Sequence, residues 1–112
     1  MKHLDENLKV SVIIPTHNRE DSLGRVVASL EKQGSIVGQM ELMIVDDGST
    51  KAIEIGVDLP FEMRVIRQAR RGATEARNRG ADESRGRILV FMDDDIEVGE
   101  GALAALVEEV ER

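Results

Sequence analysis

The sequence predicts an α/β domain in which a mainly parallel four-stranded sheet lies between helices on both faces. Four short apolar runs alternate with segments of helical periodicity, and this alternation is typical of parallel sheets with crossover connections. The runs are mostly unbroken, which predicts strands that are covered on both faces. A chain of 112 residues is long enough for one such domain.

The predicted strands are the four apolar runs. They cover Val10–Ile14, Leu42–Val45, Met63–Ile66 and Ile88–Met92. We expect the first strand to end at Pro15, because proline has no N–H with which to continue a ladder of hydrogen bonds.

Three segments have the composition of helices that pack on a sheet. Apolar residues recur at helical spacing in two of them, at Leu23, Val26, Val27 and Leu30 and again at Leu103, Leu106, Val107 and Val110. The third, Gly72–Ser84, has small residues on one side, which would let a helix lie close to the sheet. These are Ala73, Ala76, Gly80 and Ala81.

Polar residues and glycines suggest where the helices begin and end. Asn18 followed by Asp21 resembles a capping box at the start of the first helix. Gly34 and Gly86 are the expected ends of the first and second helices. Residues 50–60 predict either a short helix or an irregular connection.

Composition narrows the classes of function. The formal net charge of -7 disfavours nucleic acid and anionic lipid as partners, and a nucleoside diphosphate would require an intervening cation. The absence of cysteine excludes disulfides, zinc–thiolate sites and thiol nucleophiles. No apolar run is long enough to span a bilayer, and residues 1–9 lack the apolar core of a signal peptide. We therefore expect a cytoplasmic location.

Polar clusters follow every predicted strand. Ligands of parallel α/β sheets bind outside the carboxyl ends of the strands, so these clusters should meet at one edge. The first two clusters are Pro15-Thr16-His17-Asn18-Arg19 and Asp46-Asp47-Gly48-Ser49-Thr50. The others are Arg67-Gln68 with Arg70-Arg71-Gly72, and Asp93-Asp94-Asp95. The sequence thus predicts a single site with four contributors.

The three consecutive aspartates have the clearest chemistry. Their carboxylates repel one another unless a cation neutralises them, and Mg²⁺ typically takes one or two carboxylates together with substrate phosphate oxygens. In an extended segment Asp93 and Asp95 lie on one side and Asp94 on the other, so Asp93 and Asp95 are the expected metal ligands. A solvated acidic loop is the alternative.

The remaining clusters each have two interpretations. Asp46 and Asp47 could form an ordinary turn, or one of them could accept a hydrogen bond from a base N–H. His17 has no histidine or cysteine partner, which favours hydrogen bonding at the edge of a site over metal binding. Four arginines could form a solvated helix face or contact phosphate at a helix N-terminus. They are Arg70, Arg71, Arg77 and Arg79.

These clusters, in this order and spacing, resemble the nucleotide-binding half of a family 2 glycosyltransferase with the GT-A fold. The matching segments are Val10–Arg19, Ile44–Thr50, Arg71–Gly80 and Arg85–Asp95, and the resemblance continues to Gly101. It implies a single Rossmann-like, three-layer domain over residues 1–112, for which we expect the strand order 3-2-1-4.

The resemblance also implies a ligand, a nucleotide-diphosphate sugar linked to UDP, GDP or dTDP, and a role for each cluster. The implied nucleotide-binding residues are Pro15, Thr16, His17, Asn18, Arg19, Asp46, Asp47, Gly48, Ser49, Gly72, Arg77, Asp93 and Asp94. Among them, Asp46 occupies the family position that hydrogen-bonds the base. Asp93 and Asp95 match the DxD pair that holds Mg²⁺ or Mn²⁺ in the family.

Family members continue beyond the DxD strand with an acceptor site and a catalytic base, and no residue here matches that base. We therefore expect donor binding with little or no transfer. Two alternatives remain. An unpaired sheet edge or apolar face could support a homodimer, in a non-catalytic module that self-associates. The apolar strand with its DxD motif also superficially fits haloacid-dehalogenase-like phosphatases, which have that motif near the start of the chain.

Overall fold

A computed structural model describes residues 4–55 and 58–112 of the protein and confirms the α/β class. The strands are β1 (Val10–Thr16), β2 (Met40–Asp47), β3 (Glu62–Gln68) and β4 (Ile88–Phe91), all parallel, in the predicted order β3-β2-β1-β4. The helices are α1 (Glu20–Leu30), α2 (Ala73–Glu83) and α3 (Ala102–Glu111), with a 3₁₀ helix at Gly34–Gln39. No helix in the described ranges is long and apolar enough to cross a membrane.

The main hydrophobic core lies between one face of the sheet and the helices α1 and α3. The even-numbered residues of β1 and β2 point into it, as do the apolar faces of the two helices at the spacing read from the sequence. Its members include Val12, Ile14, Leu42, Ile44, Leu23, Val26, Leu30, Leu103 and Val107. Because α1 follows β1 directly, this core fixes the direction in which the β1–α1 loop leaves the sheet.

Helix α2 covers the opposite face, and small residues allow a close approach. A Cβ atom at Gly80 would lie 2.5 Å from Ile13 Cγ2 and 3.2 Å from Val45 Cγ2. Ala76, one turn earlier, is fully buried. The prediction that small residues bring this helix close to the sheet is therefore confirmed, and the N-terminus of α2 is held beside the carboxyl ends of β1 and β2.

The two outer strands differ from the prediction that all four runs are covered on both faces. That prediction is right for β1 and β2 and wrong for β3 and β4. Val65 in β3 is 41% exposed and Phe91 in β4 is 47% exposed. An outer strand has a neighbour on one side only, and an unbroken apolar run does not reveal how many neighbours a strand has.

Two predicted element ends at the start of the chain are also corrected. β1 continues through Pro15, which is in register with Val45, to Thr16. β4 pairs with β1 only as far as Ile13, so the missing N–H of Pro15 falls beyond that ladder. The capping box is wrong because Arg19 precedes α1 and Asn18 bonds elsewhere.

The predicted helix ends at glycine are wrong as well. Helix α1 ends at Leu30, and Gly34 begins the 3₁₀ helix with a φ of 75°. Helix α2 ends at Glu83, where the Ser84 hydroxyl donates to the carbonyl of Ala81 at 2.8 Å. Between β2 and β3, the described residues 50–55 and 58–61 form an irregular connection rather than a helix.

Candidate functional site

A cleft of about 590 Å³ lies at the carboxyl edge of the sheet, where the sequence predicts a site. Its walls come from the ends of β1, β2 and β4 and from the start of α2. The lining residues are Pro15, Thr16, His17, Asn18, Arg19, Asp47, Arg70, Gly72, Ala73, Arg77, Asp93, Asp94 and Asp95. Three residues predicted for the site, Asp46, Gly48 and Ser49, do not line this cleft.

Asp47 joins the β2 end of the cleft to the start of α2. Its carboxylate accepts hydrogen bonds from the backbone N–H of Arg71 at 2.7 Å, that of Gly72 at 2.9 Å, and Gln68 Nε2 at 3.1 Å. Burial alone would raise the pKa of Asp47, but these hydrogen bonds outweigh it and lower the pKa below the ordinary value. The carboxylate is therefore charged and held in one orientation.

Asp46 points away from the cleft and is 1% exposed. Its Oδ1 accepts the backbone N–H of Ser49 at 2.9 Å, and its Oδ2 lies 3.5 Å from Arg67 Nη1. Within the described part of the chain, Oδ2 has no hydrogen-bond partner. Neighbouring strand residues point to opposite faces, so the chain can turn only one of the two aspartates towards the cleft.

The β1–α1 loop is anchored to the loop that follows β2. The backbone N–H of Asn18 donates to Ser49 Oγ at 2.9 Å, and Asn18 Oδ1 accepts the backbone N–H of Thr50 at 2.8 Å. His17 Nδ1 lies 2.9 Å from the Asp47 carbonyl, and its Nε2 lies 3.1 Å from Asn18 Nδ2. Because a carbonyl can only accept, Nδ1 carries the proton and Nε2 accepts. His17 thus makes two hydrogen bonds at the edge of the cleft.

Two glycines in the loops beside the site have positive φ angles. Gly48 has a φ of 76°, and a Cβ there would lie 3.0 Å from the backbone nitrogen of Arg70. Gly72 has a φ of 99° and immediately precedes α2. Both values are unfavourable for residues with a side chain. Gly72 and Ala73 line the cleft, so the N-terminus of α2 lies beside it, where a helix N-terminus favours an anion.

Of the three aspartates after β4, Asp94 and Asp95 lie in a turn rather than in the extended segment that the prediction assumed. All three line the cleft. Asp94 Oδ2 accepts the Thr16 hydroxyl at 2.8 Å, and Asp95 Oδ2 lies 3.8 Å from Arg19 Nη1. The side chains of Arg19 and Asp95 are about half exposed, so this ion pair is weak. We call residues Asp93–Asp95 the acidic turn.

The structure separates the four arginines that the sequence could not tell apart. Arg70 and Arg77 line the cleft, as the acidic turn does. Arg71 and Arg79 instead line a polar depression on the outer side of α2, where Arg79 Nε pairs with Glu83 Oε2 at 2.7 Å. Arg70 was not among the residues assigned to nucleotide binding, because an arginine in a loop gives no signal of its direction.

The chemistry of the acidic turn fits Mg²⁺ or Mn²⁺ only in combination with a ligand. Among residues 4–55 and 58–112, no group of three histidine, cysteine, aspartate or glutamate side chains is arranged to hold a metal. Such ions commonly take one or two carboxylates and complete their shell with water and phosphate oxygens. Asp93 and Asp95 are exposed, face the cleft and have the required oxygen ligands.

Sequence comparisons point to one family. The profile described as "Glycosyl transferase family 2" matches residues 11–112. An uncharacterised glycosyltransferase of Haemophilus influenzae is 38% identical over 87 residues, which are 77% of this chain and 29% of that protein. The dodecaprenyl-phosphate galacturonate synthase of Rhizobium johnstonii is 32% identical over 117 residues, covering 96% of this chain and 34% of that protein. This chain therefore spans about a third of the length of these relatives.

Solved structures agree on the fold. The S. aureus protein TarS, residues 1–349, superposes with a TM-score of 0.79 at 24% sequence identity, covering 93% of this chain and 32% of that one. Structures of that protein in complex with UDP and with UDP-GlcNAc superpose equally well. The likeness confirms the Rossmann-like, GT-A arrangement of the sheet and its helices.

Proposed function

This chain belongs to glycosyl transferase family 2, and from that premise we propose that its cleft binds a nucleotide-diphosphate sugar through a divalent metal. The metal is Mg²⁺ or Mn²⁺, and the cleft is the donor half of an inverting glycosyltransferase that acts on an acceptor hydroxyl. The UDP and UDP-GlcNAc complexes of TarS, which has the same fold, support a nucleotide-sugar as the ligand class.

The observation that carries the proposal is the presence of both signs of charge in one cleft. The cleft is lined by the acidic turn and also by Arg19, Arg70, Arg77 and the start of α2. A diphosphate bound there would contact the cationic groups directly and would require a metal beside the carboxylates. In a protein of net charge -7, this placement provides local attraction for an anion that the molecule repels at long range.

The base and ribose would lie against the β1–α1 loop. We propose that Asp47, rather than Asp46, faces the base, because Asp47 lines the cleft and Asp46 is turned towards Ser49 and Arg67. A carboxylate has about four acceptor positions, and Asp47 uses three, so one remains for a base N–H. His17 Nε2, in contrast, is already engaged by Asn18.

A bound metal would supply Lewis-acid stabilisation of the departing diphosphate. The protein's own contribution would be preorganised charge: Asp93 and Asp95 would hold the cation, and Arg70, Arg77 and the α2 N-terminus would offset the negative charge of the phosphates. Thr16 fixes Asp94 through its hydroxyl, which keeps the acidic turn against the end of β1. We expect little sugar transfer by these 112 residues, because the carboxylates lining the described cleft are engaged or assigned to the metal.

The test is calorimetric titration with UDP, GDP and dTDP, each with and without Mn²⁺. We expect binding that depends on Mn²⁺ and that falls on the order of 10–100-fold in Asp95→Ala, or about 1.4 kcal/mol per factor of ten. Glu97→Ala is the matched control, because Glu97 is an exposed carboxylate two residues later that does not line the cleft. Unchanged affinity in Asp95→Ala would refute the role of the acidic turn.

Self-association is a second candidate and is compatible with the first. The partly exposed outer strands, with Val65 and Phe91 as their most exposed apolar residues, could pair with a second copy of the chain. Light scattering over a range of protein concentrations tests this. A strictly monomeric chain would remove the candidate, and in a dimer Phe91→Lys should weaken association if β4 forms the contact.

A further inference from the structure

We infer that Arg67, which lies on the outer strand β3 and does not line the cleft, is a positioning residue for the nucleotide-binding loop between β1 and α1. It acts through Asp46 and Ser49. The inference rests on the proposed function, since it concerns how that site is held in shape. It also gives a role to Asp46, the buried carboxylate that faces away from the cleft.

The first step is the contact between Arg67 and the end of β2. Arg67 Nη2 donates to the Ser49 carbonyl at 2.5 Å, and Nη1 lies 3.5 Å from Asp46 Oδ2. Asp46 is 1% exposed, and a buried carboxylate is costly unless it is paired with a cation. The planar guanidinium therefore contacts both the charge that needs a partner and the loop beside it.

The second step is the contact between Ser49 and Asn18. Ser49 is fixed from two sides, by Asp46 at its N–H and by Arg67 at its carbonyl, and its hydroxyl then accepts the N–H of Asn18. Asn18 has a φ of 53°, in the left-handed region, although asparagine tolerates this region better than most residues. Its carboxamide oxygen also accepts the N–H of Thr50. An unfavourable backbone of this kind persists only where neighbouring contacts enforce it.

The third step connects Asn18 to the cleft itself. Asn18 donates to His17, and His17 donates to the carbonyl of Asp47, so both ends of the link line the cleft. The chain of contacts thus runs from the solvent-facing side of β3 to the surface on which the proposed nucleotide would lie. Each contact in this series requires that the preceding contact holds the backbone of residues 47–50 in place.

Removing the guanidinium should therefore loosen the loop without unfolding the domain. Arg67 lies on an outer strand, and its side chain is 48% exposed, so Arg67→Ala leaves the main core intact. Asp46 would lose its cation and the Ser49 carbonyl its donor. We expect nucleotide affinity in the presence of Mn²⁺ to fall on the order of tenfold. This is the lower end of the effect usually seen when a residue that supports a binding residue is removed.

The experiment measures amide hydrogen exchange by NMR in the ligand-free protein together with titration of UDP and Mn²⁺. In Arg67→Ala we expect faster exchange at the amides of Asn18 and Thr50 and no change at Ile44 in the centre of β2. Arg64→Ala is the matched control, because Arg64 lies on the same strand but contacts Glu41 and the Glu83 carbonyl near its other end. It should leave both amides and the affinity as in the original protein.

Arg67→Lys separates positioning from simple packing of the strand. Lysine keeps the aliphatic stem and one charge but cannot contact Asp46 and the Ser49 carbonyl together as a guanidinium does. We expect intermediate exchange rates, whereas a purely packing role predicts full recovery and would overturn the inference. Unchanged exchange in Arg67→Ala, or equal acceleration in Arg64→Ala, would overturn it as well.

The two measurements also separate this inference from the proposed function. If the original protein binds no nucleotide with Mn²⁺, the proposed function fails, and the exchange rates still decide whether Arg67 holds the loop. If exchange accelerates in Arg67→Ala while UDP affinity is unchanged, the loop is held by Arg67 but the nucleotide does not depend on it. That result would contradict the positioning role.

Discussion

Acidic side chains lie at both edges of the sheet: Glu41 lies near the amino end of β2, and the cleft lies beyond the carboxyl ends of the strands. At the amino end Glu41 is 1% exposed and accepts from the Ser11 hydroxyl at 2.5 Å, the Arg85 N–H at 2.5 Å and the Arg85 guanidinium at 3.2 Å. Arg64 adds a contact at 3.4 Å. At the carboxyl edge of the sheet, four carboxylates line the cleft. Three of them belong to the acidic turn, whose residues are exposed or half-buried.

This difference separates a structural carboxylate from a ligand-binding one. Glu41 has partners for both oxygens within the fold, and they tie β1, β2, β3 and the segment after α2 together. Within residues 4–55 and 58–112, the acidic turn has one hydroxyl and one weak ion pair for three charges. Carboxylates that have few hydrogen-bond or ion-pair partners in the protein can be neutralised by a bound cation. This is the physical basis of the proposed metal site.

The largest expected effect on stability is at Glu41, near the amino end of β2. Glu41→Ala should lower the free energy of unfolding by about 3 kcal/mol, because it leaves buried donors without an acceptor and separates two arginines from their shared partner. Denaturant titration measures the change. Glu62→Ala is the control, since Glu62 is an exposed partner of the same Arg85 and should cost less than about 1 kcal/mol. Equal losses would mean that burial does not distinguish the two carboxylates.

A steric change at the same end should have a somewhat smaller effect. A Cβ at Gly86 would lie 2.7 Å from the backbone nitrogen of Ser11, and Gly86 N–H donates to the Ser11 hydroxyl that contacts Glu41. We expect Gly86→Ala to cost about 1–3 kcal/mol. Gly38→Ala, where no atom lies within 4 Å of the new Cβ, should be close to neutral in the same assay.

Acid should lower the free energy of unfolding through protonation of Glu41. Burial would raise the pKa of Glu41, but the hydrogen bonds from Ser11 and Arg85 outweigh it and lower the pKa below 4.5, the value for an unperturbed glutamate. Between these two values the unfolded chain binds more protons, so this stability is complete above pH 4.5 and is lost as the pH falls towards the lowered pKa. Unfolding measured between about pH 3 and 6 should show a shallower decline in Glu41→Gln. An unchanged slope would contradict the lowered pKa.

The smallest effect on stability is expected in the acidic turn. Asp93 is exposed, so Asp93→Asn should change the free energy of unfolding by no more than about 0.5 kcal/mol while weakening UDP binding in Mn²⁺. Thermal unfolding and calorimetry on the same sample check both parts. A large loss of stability would show that the acidic turn is structural, and it would then not differ from Glu41 in this respect.

Much of this arrangement could be predicted from the sequence because it follows from periodicity and from the geometry of parallel sheets. The alternating apolar runs predicted the fold class, and the rule that ligands bind at the carboxyl ends of strands predicted that residues as distant as Pro15 and Asp95 would meet. The small residues of α2 predicted its close contact with the sheet. These features depend on local composition and on one general rule, not on side-chain detail.

What the sequence did not reveal depends on direction and on neighbours. Asp46 and Asp47 are identical in type and adjacent, and only the folded β2 shows that Asp47 faces the cleft while Asp46 pairs with Arg67. The acidic turn was expected to be extended, but it bends after β4, where Thr16 holds Asp94. The exposure of Val65 and Phe91 depends on strand position in the sheet, which an apolar run does not encode.

The hydrogen bond between Thr16 and Asp94 has a consequence for the order of folding. It joins residues 78 apart in the chain, whereas the bond between His17 and Asp47 spans 30. Closing the longer loop costs about 0.8 kcal/mol more in chain entropy, and contacts of such long range form late in parallel sheets. We therefore expect the nucleotide loop to assemble before the acidic turn docks, so that Mn²⁺-dependent UDP binding during refolding reports completion of the sheet.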